Sequence, residues 1–219
     1  MSRARDLADV AGGQTVANAT PSGGLVLIEK KTVAQGSAST TAFDFTNCFS
    51  SSYDIYQVEF DIIRNGDSAA RHIFASFSNA NTRLTNNVVG MSSFNQAGAT
   101  TDGKSYHTST DGVHQFGGTI AATGSGTFTG TARIHNTQST TLANQITGNL
   151  VMNQYLSTDV DGIWQEDFLS VDEFGDLSGT STDILFGIIQ GDSLGTDVSF
   201  SATQAAAFGT ISIFGVKGV

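Results

Sequence analysis

Residues 54–63 alternate between largely apolar and largely polar positions, and this pattern constrains the fold more than any other feature of the sequence. Tyr56, Val58, Phe60 and Ile62 occupy every second position. Successive side chains of a β-strand point to opposite faces, so one face of this segment is apolar, whereas a helix would need a spacing of about 3.6 residues. The run therefore predicts a β-strand that is buried on one face.

The same period of two recurs along most of the chain. In residues 126–136, Phe128, Ala132 and Ile134 fall on one face and threonines on the other. The remaining strand candidates are residues 25–31, 40–46, 71–78, 145–153, 182–191, 196–202 and 208–219. Roughly ten strands separated by turn residues, with no alternation of strands and helices, predict an all-β fold. The specific expectation is a jelly-roll-like antiparallel β-sandwich with an extended N-terminal arm.

Two kinds of connection are predicted between these strands. Asn65-Gly66 is the strongest short hairpin signal in the chain and predicts that residues 54–63 and 71–78 pair with each other. Residues 95–118 are rich in Gly, Thr and Asp, and residues 159–179 are acidic and aromatic. Both stretches lack a regular period, so we expect outward-facing loops there, with or without short strands in the first.

Residues 1–23 differ in composition from the rest of the chain. Residues 1–10 have the rough spacing of a short helix, and the glycine-rich stretch after them contains the only proline, Pro21. This composition is typical of a linker or an extended arm. We therefore divide the chain into an anchoring arm and linker at 1–23 and a β-sandwich domain at 24–219.

The charge of the chain argues against two classes of partner. The net charge is −10, and the 10 Lys and Arg residues are scattered. Nucleic-acid binding needs a basic face to displace counterions from phosphates, so we expect no nucleic-acid partner. No apolar run approaches the ~20 residues of a membrane span, so we expect no membrane insertion. No apolar segment of a secretory signal follows Arg3 and Arg5, which predicts a chain that is made in a cytosol and either stays there or leaves by lysis inside a particle.

The surface composition favours assembly. Charged residues make up 14% of the chain, against about a quarter in an average globular protein. The polar surface must therefore come from Ser, Thr, Asn, Gln and Gly. Such uncharged surfaces suit a protein that stacks against copies of itself or is part of a larger assembly.

Few residues have the spacing of a metal or cofactor site. Asp159 and Asp161 have the first spacing of a calcium loop, but Ile163 takes the place of the next oxygen ligand, so the stretch is not an EF-hand. A solvated acidic loop explains the same residues. The four histidines show no tight zinc-ligand spacing. We expect no cofactor, and Asp159 and Asp161 remain the calcium candidate.

Catalytic groups are equally sparse. Glu166 and Asp167 could serve as the acid and base of a glycosidase, but a single tryptophan, Trp164, is a poor basis for an aromatic sugar groove. The lone Cys48 has no electropositive neighbour in sequence that would activate a thiol. We therefore predict a protein that is not an enzyme and has no catalytic residues.

Three stretches resemble the tail-fibre and virion-surface proteins of tailed bacteriophages. The opening residues 1–9, MSRARDLAD, are similar to the "RARDLAD" leader of that family. Residues 45–56, FTNCFSSSYDIY, are similar to the stretch before a long strand in its β-sandwich domains, and residues 209–215, GTISIFG, resemble its last strand. The resemblance covers about the first 60 and the last ten residues, and the middle of the chain does not match.

The resemblance implies a virion structural protein assembled in the host cytoplasm. In that family the leader docks onto a larger virion part, so Arg3, Arg5 and Leu7 would anchor the arm, with the guanidinium groups suited to carboxylates on the partner. The implied partners are a second and third copy, as a homotrimer, and other virion proteins, either a tail adaptor or nozzle or the capsid.

The resemblance leaves more than one role open. The first expectation is a short tail fibre that displays the β-sandwich for host attachment, and the alternative is a capsid decoration protein on the head surface. A polysaccharide-degrading tail enzyme is a third alternative. If the protein recognises a host-surface glycan, Tyr106, His107 and Trp164 are the aromatic residues expected to stack on it.

Overall fold

The computed structural model describes ten segments of the chain. They are residues 24–33, 43–64, 71–80, 82–96, 103–109, 112–120, 126–154, 162–172, 180–190 and 207–217. The predicted arm at 1–23, with Arg3, Arg5 and Leu7, lies outside the described residues, as does the strand candidate at 196–202.

The described residues form thirteen β-strands and no helix. The strands are β1 Leu25–Val33, β2 Phe43–Phe45, β3 Ile55–Arg64, β4 Arg71–Asn79, β5 Thr82–Arg83, β6 Val88–Gln96, β7 Gly103–Ser109, β8 His114–Ile120, β9 Gly126–His135, β10 Gln145–Gln154, β11 Gly162–Asp172, β12 Asp183–Gln190 and β13 Ala207–Val216. Every strand pairing is antiparallel.

The strands build two sheets. The larger sheet has the order β1-β13-β3-β9-β10-β11-β6-β7, and the smaller one has the order β2-β12-β4-β5, with β8 also paired to β4. The predicted all-β fold with antiparallel sheets is therefore confirmed, and the arrangement is that of a β-sandwich. The narrower prediction of a jelly roll is not confirmed by this strand order.

The core lies between the two sheets. Phe60 on β3 and Phe186 on β12 belong to different sheets, and their ring centroids are 5.4 Å apart, edge to face. The prediction that one face of β3 is buried is confirmed, because Tyr56, Val58 and Ile62 are fully buried. Burial of these apolar side chains is the main source of stability in such a fold.

The segment between β2 and β3 carries the chain from one sheet to the other. The ring of Phe49 packs 4.7 Å from the ring of Tyr56. The hydroxyl of Tyr56 donates a hydrogen bond to the carbonyl of Ser50 at 2.8 Å and accepts one from the Ser50 amide at 2.6 Å. Residues 45–56, which resemble phage virion proteins, therefore form a corner of the scaffold.

The hairpin predicted at Asn65-Gly66 is wrong. The strands on either side are correct, but β3 belongs to the eight-stranded sheet and β4 to the other sheet, so they do not pair. A two-residue turn joins strands that are separated by two residues. Here residues 65–70 separate them, a length that allows the chain to change sheets.

The two predicted loop regions contain long strands. Residues 95–118 include β7 and the start of β8, and residues 159–179 include β11. β11 lies inside the eight-stranded sheet, between β10 and β6. Trp164 is therefore in an internal strand and not in an exposed loop.

Candidate functional site

One surface holds most of the exposed hydrophobic side chains. Ile211 and Ile213 on β13 are buried, so Phe214 points away from the core together with its cross-strand partner Leu27. Applied to each strand, this alternation defines the outer face of the eight-stranded sheet. Of the seven exposed large hydrophobic residues in the described part of the chain, six lie on the outer face: Leu25, Leu27, Val89, Met91, Tyr106 and Val151. This one-sided distribution makes the outer face the candidate binding surface.

A first apolar patch lies near the β7 edge of the outer face. Met91 on β6 is directly opposite both Tyr106 on β7 and Leu169 on β11. Val89 lies two residues before Met91 on the same face. Tyr106 is 62% exposed, and Val89 and Met91 are each 47% exposed. We call Val89, Met91, Tyr106 and Leu169 the β7-side patch.

A groove of about 400 Å³ runs beside this patch. Its walls are Met91, Ser92, Ser93, Tyr106, Asp167, Phe168 and Leu169. It combines an aromatic ring and aliphatic carbons with an exposed carboxylate, that of Asp167. Such a groove can accept an apolar or ring-shaped group and orient it through one hydrogen bond or charge contact.

A second apolar patch lies at the opposite edge of the same face. Leu25 and Leu27 on β1 are 49% and 54% exposed. Their cross-strand partners on β13, Val216 and Phe214, are half-buried. We call these four residues the β1-side patch.

A polar stripe separates the two patches. It consists of Arg133 and His135 on β9 and of Gln145 and Thr147 on β10, which pair with one another across the sheet. Arg133 is exposed. Partial burial and then the positive charge of Arg133 lower the pKa of His135 below its ordinary value of 6.5, so His135 is neutral at pH 7.

The second notable site is buried between the sheets, around Asp172 at the end of β11. Its Oδ1 lies 3.1 Å from Nε2 of His114, the first residue of β8. Its Oδ2 accepts hydrogen bonds from Nδ2 of Asn86 at 3.1 Å and from Nδ2 of Asn144 at 3.0 Å. The Asn144 amide also lies 3.1 Å from the hydroxyl of Ser181. We call these five residues the Asp172 cluster.

A tight turn at Gly112 helps to position the Asp172 cluster. The amide of Gly112 donates a hydrogen bond to the carbonyl of Asn86 at 2.9 Å. Gly112 has a φ of 65°, and a Cβ there would collide with the carbonyl oxygen of Leu84. Only glycine fits this turn without strain, and the turn leads into β8 at His114.

Ser170, His114 and Asp172 have the connectivity of a catalytic triad. Oγ of Ser170 is 3.0 Å from Nδ1 of His114, whose other nitrogen faces Asp172. A catalytic serine must reach its substrate. Ser170 and His114 are fully buried and Asp172 is 4% exposed, so this arrangement joins the two sheets and presents no nucleophile at the surface.

The pKa of Asp172 reflects this environment. Burial alone would raise the pKa of the carboxyl, but the hydrogen bond and charge of His114 and the two asparagine amides lower it below its ordinary value. Asp172 is therefore an anion that is compensated inside the fold.

Glu166 and Asp167, the carboxylates considered for glycoside hydrolysis, lie on opposite faces of β11. Glu166 is fully buried, whereas Asp167 is exposed on the outer face. An acid and a base must flank one glycosidic bond, which two residues on opposite faces of a strand do not do.

Cys48 is buried, and its sulfur lies 3.7 Å from the carbonyl oxygens of Phe45 and Thr182. Burial first, and then the negative charge of Asp183, raises the pKa of the thiol to about 12. Cys48 is therefore a packing residue.

The three predicted glycan contacts belong to two strands of the eight-stranded sheet, Tyr106 and His107 to β7 and Trp164 to β11. Tyr106 is exposed beside the groove, and His107 is the next residue of β7. Trp164 pairs with Gln96 and lies five positions along β11 from Leu169, a distance of about 17 Å along the strand. Tyr106 lies in the wall of the groove.

Among the residues that the structure describes, no group of three or more His, Cys, Asp or Glu side chains is placed to hold a metal ion. Asp159 and Asp161 lie outside the described residues. The described segments include no helix with the length and hydrophobicity to cross a membrane.

Comparisons with known proteins add no relative. No protein-family model, curated protein or solved structure matches this chain. The assignment of a function therefore depends on the residues and geometry given above and on the resemblance of the three short stretches.

The sequence alone did not reveal the buried Asp172 cluster or the two apolar patches of the outer face. The Asp172 cluster combines residues that are 28 to 86 positions apart, and no local pattern marks them. The two patches could have been found in part, because Leu25, Leu27 and Met91 stand at outward positions of their strands, but their position at opposite edges of one sheet depends on the strand order.

Proposed function

We propose that this chain is a partner-binding structural protein of a tailed-bacteriophage virion, and specifically a short tail fibre. Residues 1–23 attach it to the particle, and the β-sandwich is displayed for host attachment. The observation that supports this proposal best is the outer face, which carries two exposed apolar patches on either side of a polar stripe. A surface of this kind is typical of a protein that functions by association.

The placement of the phage-like stretches supports the same proposal. Phe45, Phe49 and Tyr56 from the first stretch, and Ile211 and Ile213 from the last strand, all belong to the buried core. The resemblance therefore concerns residues that determine the scaffold. A shared scaffold permits several functions, so the role in attachment depends on the surface and the arm.

Three placements favour binding over catalysis. Glu166 and Asp167 face opposite sides of their strand, Ser170 is enclosed between the sheets, and the Cys48 thiol has a pKa of about 12. The groove beside Tyr106 is open to a ligand, and its exposed titratable wall residues are Tyr106 and Asp167.

Deletion of residues 1–23 tests the anchoring role directly. The full chain and the truncated chain are supplied during infection, and the purified particles are assayed for each by quantitative immunoblot. We expect the truncated chain to fold, with the same circular dichroism spectrum, and to be missing from particles. The matched variant Arg3→Glu/Arg5→Glu should reduce incorporation in the same way. Normal incorporation of the truncated chain would overturn the anchoring role.

A further inference from the structure

A row of polar residues crosses the outer face of the eight-stranded sheet. The residues of a row are directly opposite one another from strand to strand. From β7 to β1 this row consists of Lys104, Ser93, Asp167, Asn149, Thr131, Glu59, Ser212 and Lys30. It contains no apolar residue, whereas the neighbouring row contains Tyr106, Met91 and Leu169 at one end. We call it the polar row.

Three grooves follow one another along the polar row. Asp167 is in the wall of the groove beside Tyr106 and also in the wall of the next groove, of about 210 Å³. This second groove shares Thr131 with a third groove, of about 470 Å³, whose wall includes Glu59. Because neighbouring grooves share wall residues, the three form one continuous track. From Asp167 to Glu59 the track crosses three strand spacings, or about 14 Å.

The track presents hydrogen-bonding groups at regular intervals. Ser93, Asp167, Asn149, Thr131 and Glu59 are consecutive in the polar row, and all five are exposed. Carboxylates accept hydrogen bonds from hydroxyl groups, whereas a side-chain amide or hydroxyl both donates and accepts them. Neighbouring strands are about 4.8 Å apart, which is close to the length of one pyranose unit in a linear chain. A linear sugar chain therefore matches both the chemistry and the spacing of the row.

The charges along the track favour an uncharged ligand. The cations in its walls are Lys30 and Arg133, the carboxylates are Glu59, Asp61 and Asp167, and all five side chains are exposed. Positive and negative groups are therefore nearly balanced. Each of the three grooves has at least one carboxylate in its wall, so an acidic polysaccharide or a nucleic acid would meet like charge along the whole track.

The position of the track on the face of the sheet argues against a peptide ligand. An extended peptide adds to a sheet at an edge strand, where backbone groups are free. The track instead crosses strands such as β9 and β10, each of which is paired on both sides. At one end of the track the ring of Tyr106 is 62% exposed, and such a ring can pack against the apolar face of a sugar.

We propose that the track binds a linear, uncharged oligosaccharide that lies across the strands, with one end of the sugar chain against Tyr106. Asp167 and Glu59 accept hydrogen bonds from sugar hydroxyls, and Asn149 and Thr131 between them donate and accept. This inference rests on the proposed attachment function and names the class of ligand for it. It also places the ligand on the face of the sheet, where several sugar units are bound at once.

The test is the binding of linear oligosaccharides to the purified full chain, measured by isothermal titration calorimetry. The uncharged probes are hexasaccharides of glucose, of mannose and of N-acetylglucosamine, and the acidic probe is hexagalacturonate. We expect at least one uncharged hexasaccharide to bind and hexagalacturonate not to bind. The disaccharide of the same sugar should bind at least about tenfold more weakly, because it reaches fewer groups of the polar row.

Two variants at separate grooves test whether the track is continuous. Asp167→Ala and Glu59→Ala each remove a charged acceptor of hydrogen bonds, and each should weaken binding of the hexasaccharide about tenfold. The matched control is Asp44→Ala, which removes an exposed carboxylate from β2 in the smaller sheet; it should leave binding unchanged. If Asp167→Ala weakens binding and Glu59→Ala does not, the ligand occupies the groove beside Tyr106 alone and the track is overturned.

Other results would overturn the ligand class. They are binding of none of the uncharged hexasaccharides, tighter binding of hexagalacturonate than of any of them, and adsorption of particles that protease treatment of host cells abolishes but periodate oxidation of their glycans does not. The last result would assign the outer face to a protein ligand. Each is separate from the anchoring test, which measures incorporation into particles. If the oligosaccharide fails while deletion of residues 1–23 still blocks incorporation, the virion role stands.

Discussion

Nε2 of His114 lies 3.1 Å from Oδ1 of Asp172, and the two residues come from different sheets. Both side chains are almost completely inaccessible to water. Removing one partner of a buried pair leaves the other without compensation, which costs far more than losing a surface pair. The contact therefore links the stability of the sandwich to one carboxylate.

Replacing that carboxylate should destabilise the protein strongly. Asp172→Asn removes the charge and leaves His114, Asn86 and Asn144 facing another amide. We expect the free energy of unfolding to fall by about 3–5 kcal/mol. Urea denaturation measures it, and Asp167→Asn on the same strand is the control, since surface changes usually cost less than about 0.5 kcal/mol. Equal effects of the two variants would contradict the role given to the Asp172 cluster.

Acidification should weaken the same cluster. The pKa of Asp172 in the folded protein is lower than its ordinary value of 3.8. Between these two pKa values the unfolded chain binds the proton and the folded protein does not, so the stabilisation is complete above pH 3.8 and is lost as the pH falls through the folded pKa. Unfolding free energies of wild type and Asp172→Asn, compared across this range, should converge on acidification. A constant difference would show that Asp172 is not the titrating group.

Cys48 should react with an alkylating reagent only when the protein is unfolded. Because burial and Asp183 raise the pKa of its thiol to about 12, the thiolate needed for alkylation is scarce at neutral pH. We expect iodoacetamide to leave the native protein unlabelled and to modify Cys48 fully in denaturant, as measured by intact-protein mass spectrometry. Rapid labelling without denaturant would mean that the region around β2 opens readily.

Tyr106 tests the role of the groove in host attachment. Tyr106→Ala removes an exposed ring from the wall of the groove, and we expect it to reduce adsorption of particles to the host about tenfold. Tyr106→Phe keeps the ring and should retain adsorption. Unchanged adsorption by Tyr106→Ala particles that contain the normal amount of the chain would contradict a role of the groove in attachment.

Strands with apolar inward positions were predictable from the sequence. The inward positions from 56 to 62 in β3 and from 128 to 134 in β9 are aromatic, aliphatic or glycine, so the period of two is visible. In β11 the inward positions include Glu166, Ser170 and Asp172, which are buried although they are polar. His114, the buried partner of Asp172, is 58 residues away in the sequence. No local pattern could therefore show that Asp172 is buried. The segment therefore has the composition of a solvated loop.

The strand order could not be predicted from a local sequence pattern either. Asn65-Gly66 has the chemistry of a tight turn, yet the strands beside it belong to different sheets. Which strands pair depends on contacts between distant segments, such as β1 with β13. That order also places the two patches at opposite edges of one sheet.

The position and copy number of this chain in the phage particle test the central claim most directly. Electron cryo-microscopy of intact particles provides both. We predict a small number of copies at the tail, each attached through the density that leads into residue 24. Regular occupancy across the capsid lattice would contradict the tail-fibre assignment and make the chain a decoration protein, and absence from the particle would contradict the virion role itself.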